Sequence, residues 1–249
     1  GTIAPHGSHF SAGGSVTGID ISPELQSSLP AEISSQLQTL SGLRGECSVN
    51  FQVEYTPGRP VPLQFAVVGE LTRGRLDHAR IPQQLTDMQL EFKADNQGAE
   101  ITKFTARSGN SSFHGTGKIH GLTKTSPMAI ELYADRLFIG RPWEEFLTGS
   151  IKETWKKFQP AGEINVLAKL NFDGQKWTPD VTVDCLNVSF TYYKFQYRLD
   201  RGTGRLTLKD RVLDIHMSAD AGKRRISIEG RFDNPGPQFT GWVHLKGTE

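Results

Sequence analysis

The chain has 249 residues, and its 28 Lys and Arg nearly balance its 27 Asp and Glu, which leaves a formal net charge of +1. A nucleic-acid-binding protein needs a concentrated basic surface to displace counterions, so this balance argues against that class. No run of about 18 apolar residues occurs, so no membrane-spanning helix is predicted. The 26 glycines and 14 phenylalanines favour β structure, because glycine marks turns and aromatic residues prefer strands.

The first predicted element is an amphipathic helix over residues 22–40. Its apolar residues recur at helical spacing and are Leu25, Leu29, Ile33, Leu37 and Leu40. We expect Pro30 to split this helix into two short pieces, because an interior proline costs about 3 kcal/mol. Strands are then predicted from alternating apolar and polar residues at 47–55, 63–71, 86–94, 100–107, 111–120 and 127–134.

The second half begins with another amphipathic helix, predicted over residues 141–158. Its apolar stripe repeats the spacing of the first helix and consists of Trp143, Leu147, Ile151, Trp155 and Phe158. Strands follow at 163–171, 179–190, 193–200, 204–209, 212–219, 225–232 and 238–246. The sequence Arg-Gly-Thr-Gly-Arg at 201–205 predicts a hairpin turn between two of them.

The two halves therefore form an internal repeat. Each helix is followed by Gly-Glu, at Gly45-Glu46 and Gly162-Glu163, and then by a strand. Later positions also correspond, with Ala106, Gly109 and Gly117 in the first half matched by Ala219, Gly222 and Gly230 in the second. We predict the end of a truncated preceding repeat at 1–21, one repeat at 22–139, and a second at 140–249 that runs into a further repeat.

The alternating strands predict a meander of antiparallel strands with one apolar and one polar face. Two architectures fit this pattern: a β-sandwich in which two apolar faces meet, and an open, taco-like sheet whose apolar face lines a groove. The side chains that would line such a groove are Val49, Phe51, Val53, Phe65, Val67, Phe92, Phe104, Phe113, Ile164, Val166, Leu170, Val181, Val183, Leu206, Leu208, Ile215, Met217, Ile226 and Ile228.

Residues with other chemistry do not group into a site. The seven histidines lack metal-ligand spacing, and no nucleophile motif or phosphate-binding loop occurs, so no catalytic, metal or cofactor site is predicted. Cys47 and Cys185 are too few for a disulfide framework, and Cys47 is predicted to be a buried thiol. The basic run Lys223-Arg224-Arg225, with Arg231, is either a headgroup-binding patch or, more simply, a solvated hairpin tip.

The repeated pattern as a whole resembles the AsmA-like, TamB-type superfamily of bacterial envelope proteins. The resemblance is carried by Leu29-Pro30 or Pro142-Trp143 in the helix, then Gly-Glu, then strands, and then the recurring Ala and Gly positions. It implies an elongated antiparallel sheet shaped into an open, taco-like groove, with one or two short amphipathic helices in each repeat. It also implies a periplasmic location, in a parent protein anchored in the bacterial inner membrane.

The function implied by this resemblance is non-catalytic. The chain would be a segment of a periplasm-spanning lipid conduit, which carries phospholipid acyl chains along an apolar β-groove between the inner and outer membranes. Its partners would be those acyl chains and other envelope proteins, with no cofactor and no nucleic acid. Membrane attachment would occur only through parts of the parent protein outside this sequence. The alternative is a structural or assembly scaffold of the envelope, made of β repeats, that binds protein rather than lipid.

Overall fold

A computed structural model describes residues 9–22, 24–25, 42–78, 81–123, 125–147, 149–193, 195–235 and 240–247. The helix predicted at 22–40 lies outside the described residues, apart from its first few positions. The strands are β1 (Phe10–Ile21), β2 (Leu43–Tyr55), β3 (Leu63–Leu76), β4 (Leu85–Asp95), β5 (Gly98–Ser108), β6 (Ser111–His120), β7 (Met128–Ile139), β8 (Ala161–Phe172), β9 (Trp177–Tyr192), β10 (Phe195–Lys209), β11 (Val212–Ala221), β12 (Arg224–Asp233) and β13 (Thr240–Gly247).

The thirteen strands form one antiparallel sheet in which the spatial order is the order along the chain, β1 to β13. Most neighbouring strands are joined by short turns, which return the chain directly beside the strand that it has just left, whereas β1–β2 and β7–β8 have longer connections. At the β4–β5 turn the Asp95 carboxylate accepts hydrogen bonds from the backbone N–H groups of Gln97 at 2.7 Å and Gly98 at 3.2 Å. At the β10–β11 turn Asp210 and Arg211 both adopt positive φ, as a tight hairpin requires.

The fold prediction of an elongated, mainly β protein with an open antiparallel sheet and few short helices is confirmed. The sheet is open and uncurled, since β1 and β13 lie at its two ends and each pairs with one neighbour. The sandwich alternative is wrong, because the described strands belong to a single sheet. Six strands follow each of the two segments predicted to be helical, at β2–β7 and β8–β13. The division into repeats stays a prediction.

The hairpin turn predicted at 201–205 is wrong, because the strands predicted at 193–200 and 204–209 are one strand, β10. Strand β9 is long enough to pair with both halves of β10, from Phe190 opposite Leu199 to Val181 opposite Leu208. The glycines mark β-bulges instead of a turn, and the register shifts at Gly202 and Gly204. A Cβ at Gly202 would lie 2.7 Å from the carbonyl oxygen of Val188, which requires glycine there.

Two helices, α1 (Arg141–Glu144) and α2 (Gly149–Phe158), connect β7 to β8. The helix predicted at 141–158 is therefore divided in two. Trp143 anchors α1, because its indole N–H donates a 2.9 Å hydrogen bond to the carbonyl oxygen of Phe138. At the end of α2, the ring of Phe158 stacks on Tyr192 of β9 with a centroid separation of 5.1 Å.

These helices lie at one of the two long sides of the sheet, where β7 ends and β8 begins, which we call the helical margin. We call the other long edge of the sheet, where β8 ends and β9 begins, the outer margin. Bulges in β3, β4, β7 and β10 lie near the helical margin and place Arg73, Asp87, Arg136 and Arg201 at positive φ. Because bulges increase local twist, the sheet is most distorted along the helical margin.

Candidate functional site

The register divides the sheet into two faces of opposite character, since residues paired across neighbouring strands point to the same side. Val166 of β8, for example, pairs with Ala134 on one side and Val183 on the other, and Val183 pairs with Leu206. We call this side the apolar face. All the side chains predicted to line a groove lie on it: Val49, Phe51, Val53, Phe65, Val67, Phe92, Phe104, Phe113, Ile164, Val166, Leu170, Val181, Val183, Leu206, Leu208, Ile215, Met217, Ile226 and Ile228.

The sheet alone does not cover these side chains. Among them only Ile164 and Ile228 are buried, and the others are half-buried. Sequence reasoning missed further members of the same face, such as Ile130, paired with Leu170, and Trp177, paired with Phe172. The signal for Ile130 was present, because it belongs to the alternating run from Met128 to Leu132.

Charge is nearly absent from the apolar face. Among the residues that pair across β1 to β13, Arg224 is the one charged residue on this face, and it lies at the turn that begins β12. Ser108 and Ser111 are also on this face, at the β5–β6 hairpin, and both have partners. The Ser108 hydroxyl donates to the Gln83 side chain at 3.1 Å, and the Ser111 hydroxyl donates to a backbone carbonyl at 3.0 Å. The interior of the face therefore offers a ligand no charged partner.

The apolar face is large. Twelve interstrand spacings give a length of about 58 Å across the strands, and the apolar positions of β8 from Ile164 to Phe172 span about 27 Å. The area of the face is therefore roughly 1,600 Å², whereas the largest exposed apolar patch on a typical monomer covers about 300–600 Å². A face of this size calls for an occupant or a partner.

One part of this face is covered by the two helices. Buried residues Ile139, Ile164, Cys185 and Val188 form a cluster at the helical margin, and Trp143 and Trp155 pack against it. The two tryptophans therefore anchor the helices to the sheet at this margin. Helix α2 packs mainly on β9, so the cover is local.

Both cysteines are free and lie on the apolar face. Cys185 is buried, and that burial, together with the nearby Asp184 carboxylate, raises the pKa of its thiol to about 11. Burial also raises the pKa of Cys47, which is half-buried where the sequence predicted a buried thiol. Both thiols are therefore neutral at physiological pH and preserve the uncharged character of the face.

The opposite side of the sheet, the polar face, carries charges paired across neighbouring strands. These ion pairs join Lys93 to Glu100 at 3.2 Å, Lys103 to Glu91 at 3.3 Å, Lys169 to Glu131 at 3.5 Å, Arg205 to Asp184 at 2.6 Å and Arg231 to Asp214 at 3.3 Å. Exposed pairs of this kind contribute about 0–1 kcal/mol each. They indicate a face in contact with water, so the two faces have different surroundings.

The basic run at the β11–β12 hairpin does not form one patch, because alternate residues point to opposite faces. Arg225 is held by Asp220 at 3.1 Å, the Thr203 hydroxyl at 2.8 Å and the Ser218 hydroxyl at 2.7 Å. Hydrogen bonding from Arg225, together with Arg201, holds the pKa of Asp220 below its ordinary value. Arg231 pairs separately with Asp214. Arg225 and Asp220 therefore stabilise the hairpin.

Two of the described histidines have separate partners. His9 contacts Glu54 at 2.9 Å, and the ring of His114 packs on Tyr133 with a centroid separation of 4.6 Å. Within the described ranges, no group of three or more His, Cys, Asp or Glu side chains is placed to hold a metal ion. No helix in the described part of the chain is long and apolar enough to cross a membrane.

Comparison with known proteins gave no match, whether by family models, by curated proteins or by solved structures.

Proposed function

We propose that the apolar face binds the acyl chains of phospholipids, and that this chain is a non-catalytic segment of a lipid conduit. The observation that carries the proposal is the continuous face without interior charge, which crosses thirteen strands and is left largely half-exposed. If about half of its roughly 1,600 Å² is exposed to water, covering that half is worth about 20 kcal/mol at about 25 cal/mol per Å². That exceeds the whole stability of a typical domain, about 5–15 kcal/mol.

Acyl chains suit this face better than a folded protein does. A protein interface carries about one hydrogen bond per 100–200 Å², and the interior of this face has almost no side chain that can form one. Hydrocarbon needs no such partner. Because contacts with Val, Ile, Leu and Phe are non-directional, chains can also shift along the face from strand to strand without breaking specific bonds.

The cellular setting of the proposal comes from the sequence resemblance. A conduit of the AsmA-like type would lie in the periplasm and carry phospholipid between the inner and outer membranes, tethered through other parts of its parent protein. The polar face, with its water-exposed ion pairs, suits an aqueous compartment. Transport would be passive along the sheet, and no residue of this chain would need to form a covalent intermediate.

The direct test is to purify the chain, extract it with organic solvent, and weigh the intact particle by native mass spectrometry. Co-purified phospholipid is expected. Photo-reactive amino acids placed in cells at Phe51 or Val166 should give lipid adducts, whereas the polar-face neighbours Gln52 and Asn165 should give none. Protein adducts at Phe51 and Val166 without lipid would instead support the scaffold alternative.

A further inference from the structure

At one corner of the helical margin, helix α2, the β9–β10 hairpin and the β11–β12 hairpin contact one another. The Lys157 carbonyl oxygen, at the end of α2, accepts a 2.8 Å hydrogen bond from the backbone N–H of Tyr193 in the β9–β10 hairpin. The Tyr197 hydroxyl reaches the β11–β12 turn, where a Cβ added at Gly222 would lie 2.8 Å from it. The three elements therefore form one surface, which we call the basic corner and which consists of residues 149–158, 189–193, 195–202 and 219–226.

Positive charge is concentrated at the basic corner. The corner contains eight Lys and Arg residues but three Asp and Glu residues, which gives it a net charge of +5. Because the whole chain carries +1, the remaining residues together carry −4. The field of such a corner attracts anions within about one Debye length, roughly 8 Å at physiological ionic strength. The near-neutral total therefore conceals a strong local asymmetry.

Half of the basic side chains at the corner are available to an external anion. Arg198 pairs with Asp200 at 2.7 Å. Arg225 pairs with Asp220 at 3.1 Å, and Arg201 pairs with the same carboxylate. Four other basic side chains are exposed and have no ion pair within the described part of the chain, namely Lys156, Lys157, Lys223 and Arg224.

Aromatic side chains are exposed beside these charges. Tyr193 is 47% exposed, Tyr197 is 46% exposed and Phe158 is 38% exposed. Their positions are fixed by Tyr192, which stacks on Phe158 and meets the Tyr193 ring edge-on with a centroid separation of 5.1 Å. Tyrosine rings beside lysines are typical of surfaces that rest at the level of lipid headgroups, because the ring is apolar and its hydroxyl stays hydrated.

We infer that the basic corner docks on the surface of a membrane that contains anionic phospholipids. The charges are complementary, and each Lys or Arg close to such a surface strengthens binding about fivefold. The contact uses the headgroups and not the apolar face, so it does not rest on the proposed binding of acyl chains.

An acidic protein segment suits the basic corner less well than a membrane does. Fixed carboxylates are matched best by the planar fork of arginine, which binds them through two parallel hydrogen bonds. Three of the four available side chains are lysines, which are flexible point charges. Lysines suit phosphate groups that move laterally within a fluid surface.

Vesicle flotation tests the docking. The purified chain is mixed with vesicles of phosphatidylcholine alone, or of phosphatidylcholine with phosphatidylglycerol, at low and at high salt. Binding should require phosphatidylglycerol and should weaken as salt screens the charges. The inference is overturned by equal binding to the two kinds of vesicle, by binding that salt does not weaken, or by no binding. Binding to soluble polyglutamate without binding to vesicles would overturn it in favour of an acidic protein partner.

A triple variant locates the contact. Lys156→Gln, Lys157→Gln and Lys223→Gln together should weaken binding to phosphatidylglycerol vesicles on the order of a hundredfold, since each lysine contributes about fivefold. Circular dichroism checks that the variant is folded. A folded variant that binds as tightly as wild type shows that the corner is not the docking surface.

The matched control removes three charges at the outer margin. Its substitutions are Arg59→Gln, Lys176→Gln and Arg211→Gln, at side chains that are exposed. This control should bind vesicles like wild type, and an equal loss in the two triple variants would assign the effect to net charge and refute the corner. Phospholipid extracted from each purified protein is measured in parallel. Because extraction reports on the apolar face and flotation reports on the corner, failure of one proposal is distinguishable from failure of the other.

Discussion

A carboxylate placed on the apolar face tests the proposed function most directly, and Ile130→Glu is the best position for it. Ile130 lies in β7, near the middle of the sheet, between Gly117 and Leu170 on the same face. It is 37% exposed, so a carboxylate there stays hydrated in the lipid-free protein. We expect the loss of its partly buried apolar surface to lower the free energy of unfolding by about 1–2 kcal/mol.

The effect on lipid should be larger. Acyl chains that cover residue 130 would remove the carboxylate from water, at a cost of several kcal/mol. Since about 1.4 kcal/mol corresponds to a factor of ten, lipid occupancy there should fall at least about tenfold. Phospholipid extracted per mole of purified protein is the measurement, with urea unfolding monitored by circular dichroism to check that the variant is folded.

The matched control is Ala129→Glu, one residue away. Ala129 is exposed and pairs with Lys118 and Asn171 on the polar face, so the same charge is added to the same strand on the opposite side. Its lipid content should equal that of wild type. If Ile130→Glu folds and retains as much lipid as Ala129→Glu, the apolar face is not where the lipid binds.

Three further predictions concern the sheet itself. Gly204→Ala should lower the free energy of unfolding by about 1–3 kcal/mol, because Gly204 adopts φ 136° and a Cβ there would clash with the His216 carbonyl. The control is Gly247→Ala, where a Cβ meets no other atom, and it should leave the free energy of unfolding unchanged in the same urea titration. In the lipid-free protein, a thiol reagent at neutral pH should modify half-buried Cys47 faster than buried Cys185, because the Cys185 pKa of about 11 disfavours the thiolate. Mass spectrometry of the labelled peptides measures the order of modification, and the opposite order would contradict this prediction. Because Arg225 and Arg201 lower the pKa of Asp220, its stabilising contribution is present above the ordinary carboxyl pKa and is lost as the pH falls through the lowered one. Asp220→Asn should therefore reduce the loss of thermal stability on acidification, and an unchanged pH profile would contradict that role.

The face could be predicted from the sequence because side chains alternate along every strand, whatever strand lies beside it. Val181 and Val183 belong together in any sheet that includes β9. Whether the face is open depends on the layer above it, and alternation gives the same pattern in a sandwich. The choice of the open sheet therefore came from the family resemblance.

The features that the sequence does not determine depend on interactions between distant parts of the chain. The sequence around Gly202 and Gly204 predicts a turn where the structure has bulges, because glycine marks both, and only the length of the neighbouring strand β9 distinguishes the two. The two interpretations of the basic run could not be separated from the sequence, because Arg225 contacts Thr203 and Ser218 in strands whose register the sequence does not reveal.

The chain-order meander has a consequence for how this protein folds and how it can change in length. Because each strand pairs only with its neighbours in sequence, β2 to β7 and β8 to β13 can each form hairpin by hairpin, and a long connection has to close only between β1 and β2 and between β7 and β8. The stability of the sheet is approximately a sum of neighbour terms, as in solenoid proteins. Insertion or deletion of one hairpin would change the length of the sheet by about 10 Å, which is two strand spacings. All the remaining strands would keep their direction, and their side chains would still point to the same faces.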